Sequence, residues 1–220
     1  GIERLKPVYR PPLRAASGLL DSSDSATLGL TSLSGRHTML YRATADGYKF
    51  CHHPNLAVFR DELYCMWSNG KVDEDAPGQR ILYSRSTDGQ TWTDPAVLTD
   101  DRQGEGICVA AGFHVAGKTL VAFYTATGGE NFHPNTALLA RTSRDGNTWG
   151  EPRRIAAGFF IEGPRRSTSG HLLLAGEHVG PSRKAKRMRL LYTPQADGLS
   201  GWRDAQIAPP ELGVFGYTEP

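Results

Sequence analysis

Two adjacent histidines, His52 and His53, run into Pro54 and Asn55 and are the side chains of this sequence best suited to acid–base work. Imidazole titrates near neutral pH, so either ring can take or give a proton. His53 is the first choice, His52 the second, and His37 a candidate partner. Neighbouring residues on a strand face opposite ways, so one imidazole is expected to be functional and the other structural. Further along, Ile161-Glu162-Gly163-Pro164-Arg165-Arg166 offers guanidinium groups. Arg165 or Arg166 could grip a carboxylate with two hydrogen bonds, the bland alternative being a surface ion pair with Glu162. The acidic stretch Val72–Gly78 could bind calcium but lacks the spacing of an EF-hand loop. Cys51-His52-His53 is too short to read as a zinc site. No metal or other cofactor is therefore expected.

These residues need a scaffold, and a repeat supplies it. Apolar runs ending in Tyr41, Tyr83, Leu139 and Tyr192 each precede an Asp-Gly pair, at Asp46, Asp88, Asp145 and Asp197. An aromatic follows each pair: Phe50, Trp92, Trp149 and Trp202. Tight-turn signals at Asp61-Glu62, Ala116-Gly117 and Ser169-Gly170 keep a near-constant distance from the next Asp-Gly pair. Two markers in phase indicate a structural repeat. Within the second unit, Leu56–Phe59, Leu63–Trp67, Gln79–Arg85 and Ala96–Leu98 read as four short strands. That spacing suits a four-stranded blade and leaves no room for a crossover helix.

The expectation is an all-β fold, a β-propeller of four-stranded antiparallel blades. One domain spans residues 1–220, with blades at about 1–50, 51–104, 105–157 and 158–212. Residues 213–220 start another. Propellers close with 4–8 blades, so about four blades of six or seven are present, and a closed four-bladed ring is the alternative. Missing blades would be the chain's first partner.

Ser86-Thr87-Asp88-Gly89-Gln90-Thr91-Trp92 and Ser143-Arg144-Asp145-Gly146-Asn147-Thr148-Trp149 resemble the Asp box of sialidase-type (BNR-repeat) propellers. The copies at Asp46 and Asp197 are degenerate. Strand direction alternates within a blade, so Asp boxes and hairpin turns share one face. The opposite face gathers His37, His52, His53, His133 and His178 with Arg102, Glu105, Glu162, Arg165 and Arg166. Arg183-Lys184-Ala185-Lys186-Arg187 lies on that face too and could steer an anionic polymer.

From His52 to Trp92 the chain is similar to rhamnose–glucuronate lyases of the sialidase superfamily. The carrying motifs are His52-His53-Pro54, Met66-Trp67-Ser68-Asn69-Gly70 and Asp73-Glu74-Asp75-Ala76-Pro77-Gly78-Gln79-Arg80. The resemblance implies a polysaccharide lyase that breaks a uronate-containing glycan by β-elimination. His53 would act as base or acid, with His52 and His37 behind it. Arg165 or Arg166 would hold the carboxylate, and Trp67, Asn69 and Arg102 would contact substrate. The family's tyrosine acid has no assigned counterpart here. Sialidase activity is disfavoured, because no Arg-Ile-Pro motif occurs and Arg10 is its nearest approach. A glycoside hydrolase using Glu105 and Glu162 is the alternative enzyme, and a non-catalytic glycan-binding propeller is the other.

Composition narrows the partners. A formal charge of +2 on 220 residues gives no basis for expecting nucleic acid, and no stretch approaches a membrane span. The expected partner is an acidic oligosaccharide or polysaccharide, and the expected location secreted or periplasmic. Three cysteines, Cys51, Cys65 and Cys108, allow either a Cys51–Cys65 bridge or three buried thiols.

Overall fold

The computed structural model describes residues 16–45, 47–100, 106–128, 133–179 and 187–205. They fall in two compact units, one ending at His37 and one beginning at Thr38. In the first unit, aspartates organise consecutive turns: Asp21 accepts from the Ser23 amide at 2.9 Å, and Asp24 from Ala26 and Thr27 at 3.0 and 3.1 Å.

The second unit holds three four-stranded antiparallel sheets. The first comprises β1 (Phe50–Phe59), β2 (Glu62–Gly70), β3 (Arg80–Ser86) and β4 (Ala96–Thr99). The second is β5 (Ile107–Ala116), β6 (Thr119–Thr127), β7 (Ala137–Ser143) and β8 (Arg153–Ala157). The third is β9 (Arg165–Arg166), β10 (Leu172–His178), β11 (Arg187–Thr193) and β12 (Arg203–Ala205). Each runs in sequence order, as propeller blades do. Among the described residues the fold is all-β, three blade-like sheets as in part of a propeller. No strand precedes Phe50 among the described residues, and Leu40 and Tyr41 pack instead on Cys65, Trp67 and Leu82. Asp46 and residues 183–186 of the basic stretch lie outside the described residues.

Alternation along the strands explains the packing. Ala57 and Phe59 of β1, Tyr64 and Met66 of β2 and Ile81 and Tyr83 of β3 turn one face toward Cys108, Ala110, Ala122 and Tyr124. The opposite face of the second sheet gives Val121, Phe123, Leu138 and Ala140 to Phe160, Leu174 and Leu191. Polar ties cross the same seams: the Ala110 amide donates to Ser68 Oγ at 2.9 Å. Thr125 Oγ1 donates to the Phe160 carbonyl at 2.7 Å and accepts from its amide at 2.9 Å.

The Asp boxes sit at the β3–β4 and β7–β8 turns. Asp145 Oδ1 accepts from the Asn147 and Thr148 amides at 2.9 and 2.8 Å, and the Gly146 amide donates to Ser143 Oγ at 2.8 Å. Asp88 repeats the pattern with Gln90 and Thr91 at 2.8 and 2.7 Å. These amides hold the Asp88 carboxyl down at about 2 and put that of Asp145 lower still. None of the three cysteines is in a disulfide; Cys65 and Cys108 are buried, but Cys51 is exposed, against the expectation of three buried thiols.

Candidate functional site

The inner strands of the three sheets converge at one point. Gly112 has φ +108, and a Cβ there would come within 2.7 Å of Asn55 Oδ1 and 3.1 Å of the Gly163 amide nitrogen. Only glycine allows β1, β5 and the segment entering β9 to approach this closely. Both longer inner strands are irregular near this point. The β1–β2 register slips between His52 and Asn55, and the β5–β6 register between Ala110 and Gly112.

The slip in β1 decides where the histidines go. His53 has φ +52, a left-handed conformation uncommon for any residue but glycine. A bulged, left-handed residue breaks strict alternation, so the two imidazoles do not diverge as expected. Their ring centroids are 3.9 Å apart and the planes 27° from parallel. Asn55 Nδ2 donates to the His53 carbonyl at 3.3 Å and helps pin the bulge. His53 Nδ1 is buried with no hydrogen-bond partner among the described residues. Burial, with the neighbouring His52 charge second, lowers the His53 pKa to about 4, so its imidazole is neutral at neutral pH.

Glu74 completes the cluster, a residue that sequence reasoning placed only in an acidic loop. Its Oε1 lies 2.7 Å from His52 Nδ1, close but off the line of a well-formed hydrogen bond. The β2–β3 loop brings it there by doubling back: a Cβ on Gly70 would meet the Asp73 carbonyl at 2.8 Å. Gln79 locks the loop, accepting from the Asp75 amide at 3.0 Å and donating to the Cys108 carbonyl at 3.0 Å. The second sheet thus braces the loop that presents Glu74 to the first.

The other expected site residues divide. Trp67, 4% exposed, packs against Tyr41 with ring centroids 5.4 Å apart and planes tilted by 35°, and lines a cavity of ≈ 200 Å³ beside His52, Pro54 and Cys65. Asn69 is fully buried and structurally engaged. Its Nδ2 donates to the Phe50 carbonyl at 3.2 Å and its Oδ1 accepts from Arg80 Nε at 3.0 Å. Arg165 and Arg166 are exposed on β9; Arg165 approaches Glu162 at 3.7 Å and Arg166 donates to the Gly170 carbonyl. Neither meets the histidine pair among the described residues. His37 is exposed in the first unit, and Arg102 and Glu105 lie outside the described residues.

A larger cleft of ≈ 630 Å³ opens where β4 borders the second sheet, lined by Thr99, Tyr124, Thr127, His133, Asn135 and Arg154 among others. Size alone does not make it the reactive centre. Its imidazole is already engaged, His133 Nδ1 lying 2.7 Å from Asn135 Oδ1, and burial raises the pKa of Tyr124. The convergence of unengaged ring nitrogen, carboxylate and strained backbone is at His52, His53 and Glu74.

Asp-box turns on successive four-stranded blades define a BNR-type propeller. The chain belongs to the BNR repeat-like domain family, which matches residues 61–212. Among solved structures it is similar to a family 117 glycoside hydrolase of the marine bacterium Zobellia galactanivorans, at 12% identity and TM-score 0.56, covering 78% of this chain and 60% of that one. It is similar also to the endo-arabinase of Bacteroides thetaiotaomicron (10%, TM-score 0.51, 76% and 65% covered). A third is the Trypanosoma rangeli sialidase in complex with sialic acid (14%, TM-score 0.56, 80% and 35% covered). At these identities the likeness is one of fold. The chain spans less than two thirds of the length of each. None of the curated proteins matches its sequence.

Proposed function

We propose that this chain is the reactive part of a carbohydrate-active propeller, a polysaccharide lyase that cleaves a uronate-containing glycan of rhamnose–glucuronate type by β-elimination. One observation carries the reading: a histidine held in a left-handed bulge, with a buried ring nitrogen that no group among the described residues engages. Such strain persists where surrounding structure over-determines it, and it concentrates at functional sites.

In this elimination His53 takes the proton next to the uronate carboxylate. The electron pair forms the new double bond, and the bond to the leaving sugar oxygen breaks. His52 or a group yet unassigned returns a proton to that oxygen. Arg165 or Arg166 neutralises the carboxylate as charge develops, where preorganised charge contributes most. Both are exposed and follow closely on Gly163, which abuts the inner-strand convergence. Trp67 and Tyr41 beside His52 offer an aromatic wall for a sugar ring.

A glycoside hydrolase is the second reading, favoured by the names that similar folds carry. Product mass separates them. Elimination gives products whose masses sum to that of the substrate, whereas hydrolysis adds one water per cut. Mass spectrometry of rhamnose–glucuronate oligosaccharides after incubation with the chain should show no added water. Added water would overturn the lyase reading, and unchanged substrate would overturn both.

A further inference from the structure

We propose that His52, His53 and Glu74 form a binding site for one divalent first-row transition metal ion of the zinc class. One donor atom from each of the three residues lies within 4.8 Å of the others. Zinc binds imidazole nitrogen and carboxylate oxygen at about 2.0–2.2 Å, so the donors already occupy a span that a single ion bridges after small rotations. Two nitrogen donors with one carboxylate suit zinc and its neighbours. They do not suit calcium, which takes six to eight oxygens.

The site is built rather than incidental. His53 is fixed by the bulge and by Asn55, and its Nδ1 has no protein partner among the described residues. Glu74 is presented by a loop tied through Gln79 to the Cys108 carbonyl, and its own amide donates to Asp73 Oδ1 at 2.7 Å. Three protein ligands leave zinc an open position, as in catalytic rather than structural sites. The side chains of His52 and Glu74 are 43% and 49% exposed, so water or a sugar oxygen can reach that position. Ligation takes the lone pair that proton transfer needs. The metal-loaded chain is therefore inactive in the elimination proposed above, while metal binding itself stands without that reading.

The test needs no substrate. Chelator-treated chain is titrated with Zn²⁺ by calorimetry, with Glu74→Gln, His53→Ala and Cys51→Ser alongside and folding checked by circular dichroism. The expected result is one zinc per chain, with affinity at least about tenfold lower in the first two variants, unchanged in Cys51→Ser, and indifferent to added Ca²⁺. Glu74 is on an exposed loop, so Glu74→Gln decides the matter if His53→Ala does not fold. Absence of stoichiometric zinc binding, wild-type affinity in Glu74→Gln, or lost affinity in Cys51→Ser would overturn the assignment.

Discussion

Replacing Gly112 with alanine tests the convergence that places the histidines. The new methyl would stand 2.7 Å from Asn55 Oδ1 and 3.1 Å from the Gly163 amide nitrogen, at φ +108. Backbone strain there costs about 1–3 kcal/mol, and forcing a methyl into a packed site about 1–3 kcal/mol more. The expected loss is about 2–6 kcal/mol, a large share of a domain's usual stability of about 5–15 kcal/mol. Gly117 is the control, since it also has positive φ, at +60, but nothing lies within 4 Å of its added Cβ. Gly117→Ala should cost only about 1–2 kcal/mol. Urea unfolding followed by tryptophan fluorescence gives both losses, provided the slope is unchanged. Removing Asn55's side chain in the Gly112→Ala background should recover part of the loss, read as coupling in a double-mutant cycle. Equal midpoints for Gly112→Ala and Gly117→Ala would refute the reasoning, because open space and a blocked approach would then be equivalent.

Thr125→Val keeps the shape but leaves the Phe160 amide and carbonyl without their buried partner, and should lower stability by about 2–5 kcal/mol in the same assay. Asp88 and Asp145 have folded pKa values below the ordinary 3.8, so their contribution is complete above that pH and fades as pH falls toward about 2. Urea midpoints measured down to about pH 2 should fall less steeply over that window in the Asp88→Asn, Asp145→Asn double variant. A thiol reagent should label Cys51 alone in the native chain and all three cysteines in denaturant. Cys65 is buried and its pKa pushed up to about 11, and Cys108 is buried too. Peptide mapping identifies the labelled residue.

What was legible in the sequence was local. An Asp-Gly turn carries its own hydrogen-bond partners, and strand alternation follows from the backbone, so β2 to β4 fall close to the runs read from residues 63 to 98, whereas β1 starts at Phe50 rather than Leu56. The site was legible only as residue types. Strict alternation would send His52 and His53 to opposite faces; a bulge and one left-handed residue stack them, and a histidine at φ +52 leaves no mark in composition. Glu74 reaches His52 only because the β2–β3 loop folds back and a glutamine anchors it to the next blade, a contact set by tertiary packing. The acidic loop was the one signal that could have found it. Asn69 was legible as a polar residue of the site, but not that its amide ties Phe50 to Arg80, as a buried amide that must satisfy both its ends does.

The most direct measurement of the central claim is unsaturated-uronate absorbance on adding rhamnose–glucuronate oligosaccharides to wild-type chain and to folded His53→Ala. The account predicts a steady rise with wild type that is absent in the variant. An equal rise in both would remove His53 from the chemistry, and reducing ends appearing without any rise would contradict elimination itself.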